Sequence, residues 1–209
     1  WAVTGAMTFP RTGHVATLLA DGRVLVVGGS TFDSFYDVVL TKKTELYNPT
    51  MGTWIAASDT AFYRSGAPIV RLPNNQVLVV AGTSNDKRGE LFNPTTHTWS
   101  FTVGSMALAR NTTGGALMTL LNDGRVLIVG GHANAANQSE IYTPSTQTFN
   151  TPRATVSSPT FKGLVALPDG RALLTGNPQG RADVYDPVTN TWTATGSNLR
   201  PGAKPIRLS

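Results

Sequence analysis

The sequence contains four copies of one short pattern, in which a tight-turn dipeptide is followed by a run of aliphatic residues and then by glycine. The copies lie at residues 21–29, 75–82, 123–131 and 169–176. Three begin with Asp-Gly, which favours a two-residue type I′ hairpin because glycine accepts a positive φ. The aliphatic run is too short for a helix and rich in valine, which indicates a buried strand. Each copy therefore predicts two strands joined by a tight turn and ended by glycine.

Two further landmarks recur after each copy. An acidic, an aliphatic and an aromatic residue, then any residue, then proline occupy 45–49, 90–94, 140–144 and 183–187. This string alternates as a half-buried strand does and ends at a turn-forming proline. Four residues after each proline stands a threonine, followed by an aromatic residue that opens another strand. With Trp1, these aromatic residues recur every 43 to 53 residues, which predicts an all-β chain of four-stranded repeats without helices.

Taken together, these landmarks resemble kelch repeats, the four-stranded blades of a β-propeller. Gly-Gly closes the second strand, an aromatic-x-Pro turn ends the third and tryptophan opens the fourth. The pattern is similar to that of bacterial kelch proteins and of the central domain of the galactose oxidase superfamily, and it extends from Trp1 to about Thr195. The resemblance implies a kelch-type propeller with four complete blades, approximately at 12–57, 65–103, 113–151 and 161–195.

The two ends of the sequence resemble incomplete blades. Residues 1–4 match the fourth strand of a preceding blade, and residues 203–209 stand where the first strand of a following blade belongs. Propellers close with about four to eight blades. We therefore expect residues 1–209 to be a segment of a larger propeller of six or seven blades, or to be completed by another chain. A closed four-bladed ring is the alternative.

The composition narrows the classes of partner. Hydrophobic residues make up 40% and charged residues 14% of the chain, which indicates an ordered protein with a polar, uncharged surface and favours an extracellular or cell-surface location. There is no cysteine, so no disulfide or thiolate can form. The net charge is +5, but the basic residues are mostly isolated, so we predict no nucleic-acid partner. No apolar segment approaches the roughly 20 residues that span a bilayer, so no membrane span is predicted.

The loops of such blades fall into two sets on opposite faces. The turns between the first and second strands, and between the third and fourth, are short and uniform. The loops between the second and third strands, and the connections between blades, vary in length and sequence. Variable loops on a rigid scaffold often carry binding sites. We therefore predict that the variable-loop face binds a protein or a glycan.

Aromatic and acidic residues cluster in the longest of these loops, at 30–42, and in the following connection between blades. Such residues can stack on a sugar or hold a partner's side chains. The alternative is that the rings pack the loop onto its own blade or onto a neighbouring domain. The candidate residues are Phe32, Asp33, Phe35, Tyr36 and Asp37 in the loop and Phe62, Tyr63 and Arg64 in the connection.

A recurring arginine precedes successive first strands. Arg11, Arg64, Arg110 and Arg200 form this set, to which Arg153 is a possible addition. These guanidinium groups could bind carboxylates or anionic sugars; alternatively, each could cap carbonyl groups of a neighbouring blade. His132 follows a Gly-Gly on the variable-loop face and completes the candidate set. The three histidines are too scattered for a metal site, so neither a metal nor another cofactor is predicted.

The sequence shows no convergent acid, base and nucleophile. This favours a non-catalytic extracellular recognition or scaffold module. The resemblance implies an alternative, in which the chain is part of a kelch-propeller enzyme, either a copper-radical sugar or aldehyde oxidase or a sialic acid epimerase that needs no metal. The oxidase site requires tyrosine and histidine ligands and a tyrosine crosslinked to cysteine, a residue that this sequence lacks.

Overall fold

The structure, a computed structural model, is built from β-strands in two compact units. It describes residues 3–82, 86–111, 114–131, 137–156, 163–176 and 181–195. The units are Trp1–Thr102 and Val103–Ser209. Over these ranges there are nineteen strands and no helix, and hence no helix suited to crossing a membrane.

The first unit contains two four-stranded antiparallel sheets and one small hairpin. The first sheet consists of β1 (Val15–Leu18), β2 (Val24–Val27), β5 (Thr44–Asn48) and β6 (Thr53–Ala57), in that spatial order. The second consists of β7 (Ile69–Arg71), β8 (Val77–Val79), β9 (Arg88–Asn93) and β10 (Thr98–Ser105), again in chain order, and the last three residues of β10 belong to the second unit. The hairpin is formed by β3 (Ser30–Phe32) and β4 (Val38–Leu40).

The second unit repeats this arrangement. Its first sheet consists of β11 (Gly114–Leu120), β12 (Val126–Gly131), β13 (Gln138–Thr143) and β14 (Thr148–Phe149), with β15 (Arg153–Ala154) also paired to β13. Its second consists of β16 (Gly163–Ala166), β17 (Ala172–Thr175), β18 (Asp183–Asp186) and β19 (Thr191–Ala194). The predicted all-β chain with repeated four-stranded antiparallel sheets is confirmed, and β15 adds a fifth strand to the third of these sheets.

The core of each unit lies between its two sheets. In the first unit Leu25 and Leu46 of one sheet belong to the same buried cluster as Val77 and Phe92 of the other. A tryptophan strengthens this packing, because Trp99 Nε1 donates to Thr44 Oγ1 at 3.1 Å. In the second unit the corresponding bond runs from Trp192 Nε1 to Ser139 Oγ at 2.9 Å. A fourth-strand tryptophan thus ties each of these sheets to the third strand of the preceding one.

The Asp-Gly turns differ from the predicted type I′ geometry. Gly22 has a φ of 84°, but Asp21 does not have a positive φ. Leu19 C=O accepts a hydrogen bond from Gly22 N–H, and Leu19 N–H donates to Arg23 C=O. This is a type I turn followed by a left-handed glycine, the usual three-residue hairpin connection. One positive φ suffices, which is why Asn75, with a φ of 66°, can replace glycine in the second sheet.

The segment at 30–42 also differs from the prediction, which made it a loop without strands. It contains the β3–β4 hairpin, which projects from the end of the sheet where β2 ends and β5 begins. The predicted partial blade at 203–209 lies outside the described residues, as do Trp1 and Ala2 of its N-terminal counterpart.

Candidate binding face

The tip of the β3–β4 hairpin is held in place by Asp33. Its Oδ1 accepts hydrogen bonds from the backbone N–H groups of Phe35, at 2.8 Å, and Asp37, at 3.0 Å. Its own N–H donates to Asp37 C=O at 3.0 Å. Tyr36, between them, takes a left-handed conformation with a φ of 64°. The tip therefore has a defined backbone although it packs against little else.

The hairpin of residues 30–40, called the 30–40 hairpin below, exposes apolar side chains along its length. Every residue from Phe32 to Leu40 is exposed, and the rings of Phe35 and Tyr36 at the tip are 82% and 86% exposed. Phe32 pairs with Val38, and cross-strand partners lie on the same side of a sheet. Leu40 lies two residues further along that side. An apolar stripe below the tip therefore faces solvent.

A cleft of about 380 Å³ lies at the foot of the hairpin. Its walls include Pro10 and Phe32, and its floor is fixed by two 2.8 Å backbone hydrogen bonds that Thr12 and Ser30 exchange. A cleft of this size can hold a small ligand or a side chain of a partner. It is continuous with the exposed hairpin through the ring of Phe32.

Of the predicted residues Phe62, Tyr63 and Arg64, the two aromatic residues contact cationic side chains near the surface, whereas Arg64 is buried. Phe62 lies beside Phe101, with ring centroids 5.8 Å apart, and the Arg88 guanidinium lies over both rings at 4.9 and 4.3 Å. Lys42 Nζ lies 5.0 Å above the ring of Tyr63. Arg64, by contrast, is fully buried. Two partly exposed cation–aromatic contacts thus border the loops at this end of the sheets.

Three of the recurring arginines are buried in ion pairs with glutamate. Arg11 pairs with Glu45, Arg64 with Glu90 and Arg110 with Glu140, and no arginine side chain of these pairs is exposed. Each guanidinium also donates to a backbone carbonyl at the end of its sheet's second strand. Burial lowers the pKa of Arg64 and Arg110, and the charge of the paired glutamate opposes this shift. Their donors are engaged within the protein, and ligand binding by these arginines stays a prediction.

Each glutamate of these pairs also accepts a backbone N–H from the segment that precedes the arginine by three residues. The donors are Thr8, Ala61 and Ala107. In the last sheet Asp183 accepts from Val156 at 3.0 Å, but residue 159, three positions after Val156, is proline. In this last repeat the position of the recurring arginine is therefore not an arginine, and an aspartate stands in place of the glutamate.

Two members of the candidate set, His132 and Arg200, lie outside the described residues. Within the described part of the chain, no group of three histidine, aspartate or glutamate side chains is placed to hold a metal ion. Among the residues that sequence reasoning missed are Val38, Leu40 and Lys42. The run Val38-Val39-Leu40 was the signal for a strand, but it is short and follows the aromatic cluster directly.

A cavity of about 490 Å³ opens among the uniform turns of the second unit. Three carboxylates line it, from Asp123, Asp169 and Asp186. All three are already engaged: the first two in ion pairs with Arg125 and Arg171, and the third by the Val188 N–H. The carboxylates of this cavity are therefore already satisfied within the protein.

Comparisons with known proteins identify the fold. No protein-family model matches the chain, and no curated protein matches its sequence. Among solved structures, YjhT has a TM-score of 0.75 and 15% identity, over 98% of this chain and 76% of YjhT. A fungal alcohol oxidase of the AA5 family, in complex with copper, has a TM-score of 0.69 and 16% identity, over 95% of this chain and 46% of the oxidase. At such identities the likeness establishes the fold alone: the chain has a kelch-type β-propeller fold.

Proposed function

We propose that this chain is a non-catalytic recognition or scaffold propeller that binds a protein through its variable-loop face, with the 30–40 hairpin as the principal contact. The exposed apolar side chains of this hairpin carry the proposal. A soluble surface rarely presents so many contiguous apolar groups unless they meet a partner. The polar, uncharged composition supports an extracellular or cell-surface setting for this contact.

The backbone of the hairpin suits a binding role. Binding costs free energy when loops and side chains must be ordered at the interface. Here the hydrogen bonds to Asp33 fix the tip before any partner arrives. Aromatic residues are also the anchors that contribute most at protein interfaces, and Phe35 and Tyr36 stand at the tip. The 30–40 hairpin is therefore preorganised for contact.

The shape and charge of the hairpin favour a protein partner over a glycan. Small ligands usually occupy concave sites, whereas this hairpin projects from its sheet. Within the described residues, the carboxylates of Asp33 and Asp37 take part in no ion pair. A partner with an apolar groove and a basic rim would complement them.

Photo-crosslinking tests this proposal. A benzophenone amino acid replaces Phe35 in one variant of the natural polypeptide and Met51 in a control variant. Met51 is 71% exposed and lies in the uniform turn at the other end of the same sheet. We expect position 35, but not position 51, to crosslink to one partner protein in the native setting, as identified by mass spectrometry. Equal crosslinking from both positions, or crosslinks from position 35 only to glycan or to other parts of the same chain, would contradict the proposal.

The alternative, an enzyme propeller, is supported by the fold shared with the fungal alcohol oxidase. The chain spans less than half the length of that oxidase. A copper-radical site does not fit the residues present, because the sequence has no cysteine to crosslink to a tyrosine, and the described part of the chain holds no group of three histidine, aspartate or glutamate side chains placed to hold a metal ion. The oxidase reading therefore requires ligands from outside these residues.

A further inference from the structure

One face of the first sheet carries a row of apolar side chains that crosses all four of its strands. The register pairs each residue of this row with the next, and cross-strand partners project from the same face of a sheet. The row, called the Leu18 row below, consists of Leu18, Val24, Tyr47 and Trp54. Leu18 is 60% exposed, and the other three side chains are half-buried. The row is therefore incompletely covered.

The corresponding row of the last sheet shows how such a face is covered. Its members, again in register across four strands, are Ala166, Ala172, Tyr185 and Trp192. None of them is more than 9% exposed, and three belong to one buried cluster with Leu127 and Ile141 of the preceding sheet. The second sheet packs its corresponding row against the first sheet in the same way. In this chain such a row is thus buried against the aliphatic face of a preceding sheet.

Residues 3–5 lie on the first sheet where the end of a preceding fourth strand would lie. Gly5 N–H donates at 3.0 Å to the C=O of Gly52, in the turn between β5 and β6. The same bond recurs one repeat later, where Ser58 N–H, directly after β6, donates at 3.1 Å to the C=O of His97, in the turn between β9 and β10. Segment 3–5 therefore stands to the first sheet as the end of β6 stands to the second.

The same segment also contacts the two rings of the Leu18 row. Thr4 Oγ1 lies 2.5 Å from the hydroxyl oxygen of Tyr47. Trp54 Nε1 donates to Gly5 C=O at 2.7 Å. The place of a fourth strand is thus filled, whereas none of the nineteen described strands forms a sheet with this segment.

We propose that the Leu18 row is the interface for a three-stranded sheet of the same repeat type, which residues 3–5 complete as part of its fourth strand. The three strands belong to the natural polypeptide outside residues 1–209, because each of the four described sheets is built from one chain. Their face toward the row is aliphatic, like the face of the first sheet that carries Leu25 and Leu46. Burial of the Leu18 side chain and of the half-buried rings favours this contact.

The last sheet of a second copy fits the row less well. It has a fourth strand of its own, β19 (Thr191–Ala194). The residue that follows such a strand would compete with Gly5 for the C=O of Gly52. The sheet that covers the Leu18 row therefore lacks a fourth strand.

This interface goes beyond the proposed function and does not depend on it. The Leu18 row lies on the broad face of the first sheet, whereas the 30–40 hairpin projects from the end of that sheet. Covering the row leaves the rings at the hairpin tip available to a partner protein. The two proposals therefore fail or succeed separately.

Hydroxyl-radical footprinting of the purified natural polypeptide tests whether the row is covered. The oxidation rate of a side chain follows its exposure to water, and comparison among leucines removes differences in intrinsic reactivity. Leu18 is 60% and Leu40 39% exposed, so an uncovered Leu18 would react faster than Leu40. We expect Leu18 instead to react about tenfold more slowly than Leu40, close to the rate of the fully buried Leu46, because a packed interface excludes water. A Leu18 rate equal to or above that of Leu40 would overturn the proposal.

Photo-crosslinking identifies what covers the row. A benzophenone amino acid replaces Trp54 in one variant of the natural polypeptide and Trp99, the equivalent residue of the second sheet, in a control variant. Both side chains are half-buried. We expect position 99 to crosslink to β5, where Thr44 accepts its indole N–H. Besides residues 3–5, position 54 should crosslink to a segment outside residues 1–209 that carries the acidic, aliphatic and aromatic string ending in proline.

Three results at position 54 would overturn the proposal while position 99 behaves as expected. These are crosslinks to residues 163–195 of the same or a second copy, crosslinks to another protein, and no crosslink beyond residues 3–5. Footprinting uses the unaltered sequence, so it decides the question even where a benzophenone variant fails to fold. None of these results would bear on crosslinking of position 35 to a partner protein.

Discussion

Arg64 and Glu90 form a doubly hydrogen-bonded ion pair in the interior of the first unit. Arg64 Nε and one terminal nitrogen donate to Glu90 Oε2 at 2.9 and 2.7 Å, and the two side chains are 0% and 2% exposed. Glu90 Oε1 accepts the N–H of Ala61 at 2.6 Å, while the guanidinium also donates to Ala81 C=O. The pair thus fixes the connection between the two sheets to the middle of β9.

Removal of one partner from this pair should be costly. Glu90→Gln leaves the Arg64 charge buried and uncompensated, so we expect a loss of about 3–5 kcal/mol in the free energy of unfolding. Asp59→Asn is the control, because it breaks the exposed Lys43–Asp59 pair, which is worth at most about 1 kcal/mol. Urea denaturation of both variants checks the difference. Losses of similar size would mean that the buried pair contributes no more than the exposed one.

Gly82 lies where another backbone segment leaves no room for a side chain. A Cβ at this position would lie 2.3 Å from Tyr63 C=O oxygen, and its φ is +128°. Gly82→Ala should therefore destabilise by about 2–4 kcal/mol. Gly170→Ala separates the two causes, because Gly170 has a φ of +92° but nothing within 4 Å of a Cβ. We expect it to cost only about 1–2 kcal/mol in urea denaturation. An equal cost for both would assign the effect to the backbone angle alone.

The regular strands could be predicted because their signals are local. Alternation, the turn glycines and the proline that ends each third strand lie within a few residues of one another, and β6 begins at Thr53, directly before the aromatic residue that was predicted to open a strand. The 30–40 hairpin could not be recognised in the same way. Its strands have three residues each, and its turn depends on the side chain of Asp33 rather than on glycine.

The ion pairs show why the candidate site was harder to predict than the fold. Both partners were visible as recurring residues, but Arg64 and Glu90 are 26 positions apart and belong to different landmarks. Their joint recurrence in three repeats was the available signal. Which side chains remain exposed depends on such long-range pairing, so Arg64 and Tyr36 could not be separated into a buried and an exposed class from local sequence.

Replacement of Tyr142 by phenylalanine is expected to stabilise the fold. Its ring is fully buried, and its hydroxyl is the buried side-chain polar atom in the described residues that lacks a hydrogen bond. Burial also raises the pKa of Tyr142 to about 12. Tyr142→Phe should increase the free energy of unfolding by about 1 kcal/mol. Tyr185→Phe is the matched control: its hydroxyl donates to Asn190 Oδ1 at 2.8 Å, so the same change should cost about 1 kcal/mol. Thermal unfolding should therefore shift in opposite directions, and a loss in both would contradict the expectation.

The Asp21 turn should make a small contribution to acid sensitivity. Hydrogen bonds from the Arg23 side chain lower the pKa of Asp21, and burial opposes this effect only in part. Because the folded-state pKa lies below the unfolded value of about 3.9, the stabilisation is present above about pH 4 and is lost as the pH falls through the folded-state pKa. Asp21→Asn keeps the acceptor for Arg23 N–H, as Asn74 does for Gln76 N–H, but removes the titrating charge. Since the pair is partly exposed, the variant should lose less than about 1 kcal/mol at pH 7, and the loss should be smaller at about pH 2. Unfolding measured at both pH values decides this, and a difference from the natural sequence that is independent of pH would show that the Asp21 charge is not responsible.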